Sequence, residues 1–199
     1  VHCLVLCLFA LHLSAFPITQ KNKNDPKAYI DYALSKQKTD PSEANKALDF
    51  AYKLASEQNK KHVLAKVLIE QAQTAKLHKN YSLAEKYLFQ AERITLPLDH
   101  ARLSVDMLSN MSSTQRYLKN YEKSMDYIQR ALAIARKSNE PNLIFKCLLI
   151  KGTLLQAMKR FEDAVTVYLL AQRHMSKAND ANVLRLYRST ANAYNNIKE

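Results

Sequence analysis

The side chains that most often carry chemistry are present in this sequence, but they do not fall into a catalytic or metal-ligating pattern. The histidines are His2, His12, His62, His78, His100 and His174. No two lie four residues apart and none belongs to an H-E-x-x-H run, so no helix face is marked as a zinc site. There is no G-x-S-x-G, no phosphate-cradling loop and no C-x-x-C. Cys3 and Cys7 fall in the first apolar run, and Cys147 stands alone, which reads as packing rather than as a nucleophile. Asp and Glu are scattered, with no two marked as a catalytic pair. The expectation is a protein that is not an enzyme and needs no cofactor and no metal. What the sequence does supply is positive charge: 30 Lys and Arg against 18 Asp and Glu, a net +12. That balance suits an anionic partner, whether nucleic acid, anionic lipid or acidic peptide. A platform for single-stranded nucleic acid would also need exposed aromatic rings interleaved with the cations. Tyr81, Tyr121 and Tyr168 instead recur on packing positions of the repeat described below, and are expected in the core.

The elements that position these residues must be helices. The chain of 199 residues has one glycine, Gly152, where average usage of about 7% would give roughly fourteen. Glycine supplies the positive φ of hairpin turns and phosphate loops, so barrels, sandwiches, Rossmann domains and P-loop enzymes are disfavoured. The remaining composition is rich in good helix formers. The N-terminus is different in kind. From Cys3 to Phe16 there is no charged residue, the run ends in Ser14-Ala15, and a polar stretch follows. This is the pattern of a secretory signal peptide, with an uncleaved anchor or a buried core helix as the alternatives. The expected organisation is a leader over 1–16, a polar linker over 17–25 and a helical array over 26–199.

A shift of 40 residues aligns the chain with itself. Asp40-Pro41-Ser42-Glu43-Ala44 falls over Asn80-Tyr81-Ser82-Leu83-Ala84, then over Asn120 to Ser124 and Arg160 to Ala164. Leu48, Leu88, Ile128 and Tyr168 coincide, as do Ala51, Ala91, Ala131 and Ala171. Spacings of 3, 4 and 3 place Tyr81, Ala84, Leu88 and Ala91 on one helical face. This is the second helix of each unit, helix B. Asp40, Asn80 and Asn120 stand where an N-cap belongs, with Glu43 in position to reach back. The first helix, helix A, carries Val63, Val67, Leu68, Ala72 and Ala75, repeated at 103–115 and 143–155. Asn59, Asp99, Asn139 and Asn179 recur between units, where they cap a helix or turn the chain. The units are 26–59, 61–98, 101–138 and 141–178, followed by a fifth helix A with Val183, Tyr187 and Ala191 in register. Its helix B is absent, so the chain is expected to continue beyond Glu199.

With a small residue late in helix A, and an aromatic, Ala, a large apolar residue and Ala along helix B, the units resemble the tetratricopeptide repeat family. The best copy is Gly152, Phe161, Ala164, Tyr168 and Ala171. The unit of 40 residues is longer than that family's usual 34. The resemblance implies an all-α, right-handed superhelical solenoid of antiparallel helix pairs, and a protein-binding groove lined by helix A. Carrying over the family's groove positions gives Lys36, Lys66, Gln73, Lys76, Leu77, Arg116, Tyr117 and Lys146. The family's clamp for a chaperone-tail carboxylate needs Asn where Gln73 and Ser113 stand, so that ligand is not expected. The implied function is a non-catalytic scaffold for a protein or peptide segment of acidic character. The implied context resembles the exported, extracytoplasmic input region of bacterial sensor kinases or regulators. The alternative is a basic helical repeat that binds nucleic acid, which an export signal disfavours. Membrane attachment is expected only through an N-terminal anchor or a span after Glu199.

Overall fold

In a computed structural model the described residues are 16–19, 22–175 and 180–198. The expected leader, up to residue 15, lies outside them, as does Asn179. Among the described residues there are nine α-helices and no strand. They are α1 (Pro26–Lys36), α2 (Pro41–Glu57), α3 (Lys61–Leu77), α4 (Tyr81–Thr95), α5 (Ala101–Tyr117), α6 (Tyr121–Lys137), α7 (Pro141–Ala157), α8 (Phe161–Gln172) and α9 (Asp180–Lys198). A short 3₁₀ turn, Leu96–Leu98, follows α4. Each odd-numbered helix packs against the next even-numbered one as an antiparallel pair, and successive odd-numbered helices also touch. No described helix is long and apolar enough to cross a membrane.

The repeat columns are the core. Ala51, Ala91, Ala131 and Ala171 are fully buried, as are Ala44, Ala84, Ser124 and Ala164. Leu48, Leu88, Ile128 and Tyr168 fill the space between these close approaches. Cys147 is buried, and that burial pushes its thiol up to about 11, so it packs and does not react. The tyrosines divide. Tyr168 is in the core, but Tyr81 and Tyr121 are only half-buried, contrary to expectation. Each opens a helix at its first residue, so its ring lies at the rim of the turn rather than inside the pair.

A chain with one glycine turns by another route. Asn59, Lys79, Asp99, Lys119, Asn139 and Lys159 all adopt positive φ, between 45° and 63°, at intervals of twenty residues. Each of the three lysines is followed by a backbone bond that closes the helix end: Asn80 N–H to Ala75 C=O, Asn120 to Gln115 and Arg160 to Leu155, all at 2.9 Å. This is the Schellman arrangement, whose left-handed position usually takes glycine. The caps are less uniform than their spacing suggests. Asp40 and Asn80 accept from the N–H of Glu43 and Leu83. Asn120 does not cap and instead donates to Gln115 Oε1 at 2.9 Å. Glu43 does not reach back but accepts from the Tyr32 hydroxyl.

The two ends of the array differ. Phe16 packs edge-on against Tyr29 and Tyr32, with ring centroids 5.6 Å away in both cases, and helps close the first unit. In α9 the buried residues are Leu186 and Ala193, not the expected stripe. Tyr187 is 50% exposed and Leu184 59%. In earlier units the corresponding stripe is covered by that unit's own helix B, and no described helix packs there on α9.

Candidate functional site

The inner helices α3, α5, α7 and α9 line an open cavity of about 270 Å³. From α3 come Gln73, Lys76 and Leu77, and from α5 come Ser109, Asn110, Ser113, Arg116 and Tyr117. Lys146 and Ile150 close it from α7, and Arg185 from α9. Six of the eight groove residues expected from the sequence therefore meet in one place. The other two do not. Lys36 turns to Glu43, with Nζ at 3.9 Å from the carboxylate and 5.7 Å from the Tyr32 ring centre. Lys66 is exposed one turn before Glu70, outside the lining.

Lys36, Lys76 and Arg116 sit in the last turns of α1, α3 and α5. The negative end of each helix dipole favours a cation there, which explains how so much positive charge is held at the ends of these helices. Lys76 is half-buried and donates to Asn110 Oδ1 at 2.5 Å. Burial first, then the charges of Lys146, Arg116 and Arg185, push its ammonium down to about 7. Lys146 is the paired cation, with Nζ at 2.7 Å from Asp106 Oδ1. Asn110 is itself fixed by donating to the Asp106 carbonyl at 2.8 Å.

The rim is apolar and aromatic. Leu77 is 47% exposed and Tyr117 48%. The Tyr117 ring stacks on Tyr81, with centroids 4.9 Å apart and planes 7° from parallel. The Arg116 guanidinium lies 4.1 Å from the centre of the Tyr117 ring. A ring held on one face and a cation held on a ring are both partly pre-ordered, so little entropy remains to be lost on contact with a ligand.

Asn110, Ile150 and Arg185 did not emerge from the sequence. Asn110 lies six residues before Arg116 and Ile150 four after Lys146, off the groove positions carried over from the family. Arg185 lies on the fifth helix A, beyond the four units over which the columns were carried. A second hollow, of about 370 Å³, opens near α4 and α6. Its charged lining is mixed, with Glu85, Glu122 and Asp126 against Lys123 and Arg130. No group of His, Cys, Asp and Glu among the described residues could hold a metal ion.

No family model matches the chain, and no curated protein matches it. Among solved structures it is similar to a signal transduction ATPase with numerous domains from Pyrococcus horikoshii, a protein with a tetratricopeptide repeat sensor. The TM-score is 0.73 at 19% identity, over 88% of this chain and 27% of that one. The present chain thus matches about a quarter of that protein's length. At that identity the likeness concerns the fold, and together with the helix pairs and their buried columns it establishes an all-α, tetratricopeptide-like solenoid.

Proposed function

We propose that this chain is a non-catalytic binding scaffold whose helix A face receives an extended segment of a protein partner. One observation carries the reading: Gln73, Lys76, Leu77, Arg116, Tyr117 and Lys146, selected as groove positions, line a single cavity on the inner helices. The cavity joins cations, amides and hydroxyls to an apolar rim. That mixture suits side chains and main-chain groups of an extended peptide. The larger neighbour is described as carrying such repeats as a sensor. By that likeness, we read the present array as the sensory or binding region of a larger signalling protein. The uncharged run from Cys3 to Phe16 supports export of that region to an extracytoplasmic compartment.

The test is capture from envelope extract of the source cell, with wild type against the double variant Leu77→Ser, Arg116→Glu. Leu77 stands on the exposed rim, and Arg116 has no carboxylate partner among the described residues, so the fold should survive. Lys76 is left unchanged because its ammonium also holds Asn110 by a hydrogen bond. Loss of the captured partners supports the groove, and equal recovery overturns it. Mass spectrometry of the native protein reads the export proposal separately: a mature chain lacking residues 1–15 is expected, and an intact leader in a cytosolic fraction refutes it. The nucleic-acid alternative would show as oligonucleotide binding that falls steeply with salt.

A further inference from the structure

We propose that the cavity between α3, α5, α7 and α9 is a receptor for a phosphoryl dianion carried on the partner's extended segment. This deepens the scaffold reading and rests on it. The first ground is charge. Lys76, Arg116, Lys146 and Arg185 line the cavity, and no acid does. The two nearby carboxylates are engaged at its edge: Asp106 holds Lys146, and Glu70 accepts from Gln37 Nε2 at 3.4 Å. Four cations against those two acids leave two positive charges when Lys76 is protonated. A carboxylate would answer one of them, whereas a phosphate monoester brings about 1.5–2 negative charges at neutral pH.

The second ground is that these cations lack counter-ions. Among the described residues no carboxylate forms an ion pair with Lys76, Arg116 or Arg185. Burial first, and then Arg116, lowers Arg185, while burial first, and then Lys146, Arg116 and Arg185, lowers Lys76, so these cations share one space. The helix ends beneath Lys76 and Arg116 supply only about half a charge each. Two guanidiniums and an ammonium facing one space provide the forked and point-like donors that phosphoryl oxygens accept. The third ground is room. The groove opens about 270 Å³ of space among these side chains, room for a phosphoryl group together with the side chain that bears it. Leu77 and Tyr117 at the rim would then flank the segment's backbone.

The probes are N-acetyl-phosphoserine amide, inorganic phosphate and acetate, titrated into the full chain at constant ionic strength and pH 6.5, with heat as the readout. Binding of the phosphoserine amide is expected, with acetate at least tenfold weaker. The variant Arg116→Gln, Arg185→Gln should weaken the phosphoserine amide at least tenfold, while the exposed-helix control Lys123→Gln should not. Circular dichroism confirms that both variants remain helical. Absence of phosphoserine-amide binding, equal binding of acetate, or indifference to the double variant overturns the proposal. Binding of inorganic phosphate without the phosphoserine amide would make the site a receptor for the free ion, and overturns the peptide-borne form. Tighter binding of a single-stranded oligonucleotide than of the amide, with a steep salt slope, overturns it in favour of nucleic acid. Phosphatase treatment of the envelope extract separates this proposal from the scaffold reading. If partners are still captured, the phosphoryl receptor fails and the scaffold stands.

Discussion

Gly152 and Tyr168 are complementary in size. A Cβ on Gly152 would stand 2.3 Å from Tyr168 Cε1, inside any tolerable contact. In the second and third units the glycine's position holds Ala72 and Ser112, and the tyrosine's holds Leu88 and Ile128. The larger ring of the fourth unit fits because its opposite helix gives up a methyl group. Its hydroxyl then donates to Gln156 Oε1 at 2.5 Å, which ties α8 to the end of α7.

Gly152→Ala should therefore destabilise the protein, although alanine is the better helix former. Overpacking costs about 1–3 kcal/mol, against a gain in helix propensity of about 0.8–1 kcal/mol. The double change Gly152→Ala, Tyr168→Leu should recover much of the loss. Urea unfolding of the wild type, both single variants and the double variant measures the coupling.

The third unit makes the same kind of exchange with polar groups. Ser112 and Ser124 replace the small residues of other units, and their hydroxyls lie 3.1 Å apart in full burial. Ser124 also donates to the Ser112 carbonyl at 2.8 Å. Ser124→Ala should cost about 1–3 kcal/mol by orphaning the Ser112 hydroxyl. Replacing both serines with alanine should be close to neutral, as read by thermal unfolding.

The left-handed lysines predict a gain. Lys119 holds φ at 63° with no glycine to ease it. Lys119→Gly should stabilise by about 0.5–1 kcal/mol. Lys119→Val should destabilise, because a β-branched residue is a true outlier there. Denaturant midpoints of the two variants on either side of wild type would bear this out.

Lys76 predicts a pH dependence of definite sign. Its folded value is lowered from 10.5 to about 7. Between those limits the unfolded chain binds a proton that the folded chain has released, so stability rises with pH across that window. Below it, Lys76 is protonated in both states and its contribution to the slope vanishes. The groups facing it are Lys146 on α7, Arg116 on α5, Arg185 on α9 and Glu70 on its own helix, with Asn110 as its acceptor. Unfolding free energies of wild type and Lys76→Met, compared from pH 6 to 10, should diverge in that sense. Anion binding should weaken as pH rises through 7.

The fold was legible because the columns are physical necessities repeated four times. Ala91 and Ala131 must be small where helices approach, and Leu88 and Ile128 must be large beside them. Period alone recovered these positions. It could not foresee the ends, since Tyr187 is in register but has no covering helix among the described residues. It also could not distinguish Lys66 from Lys76. The two stand ten residues apart on one helix, and only the neighbouring helices determine which of them is enclosed. Likewise Lys79, Lys119 and Lys159 carried no mark of their left-handed backbone, because lysine has no preference for it to betray. At 59, 99 and 139 the Asn and Asp residues did carry such a mark, being the types that tolerate it.

The turns at intervals of twenty residues have a kinetic consequence. Because each helix packs on neighbours one or two places along the chain, almost every contact closes a short loop. Low contact order of this kind goes with rapid folding, and a linear array can begin to fold at any pair and grow outward. Among the described residues no distant helix bridges the two ends of the array. The apolar face of α9 is the least covered among the described residues, so within this array α9 should be the first helix to open. Since α9 contributes Arg185, the groove would come apart with it, and a ligand bridging Arg185 to Arg116 would act as the clasp that holds α9 on the array.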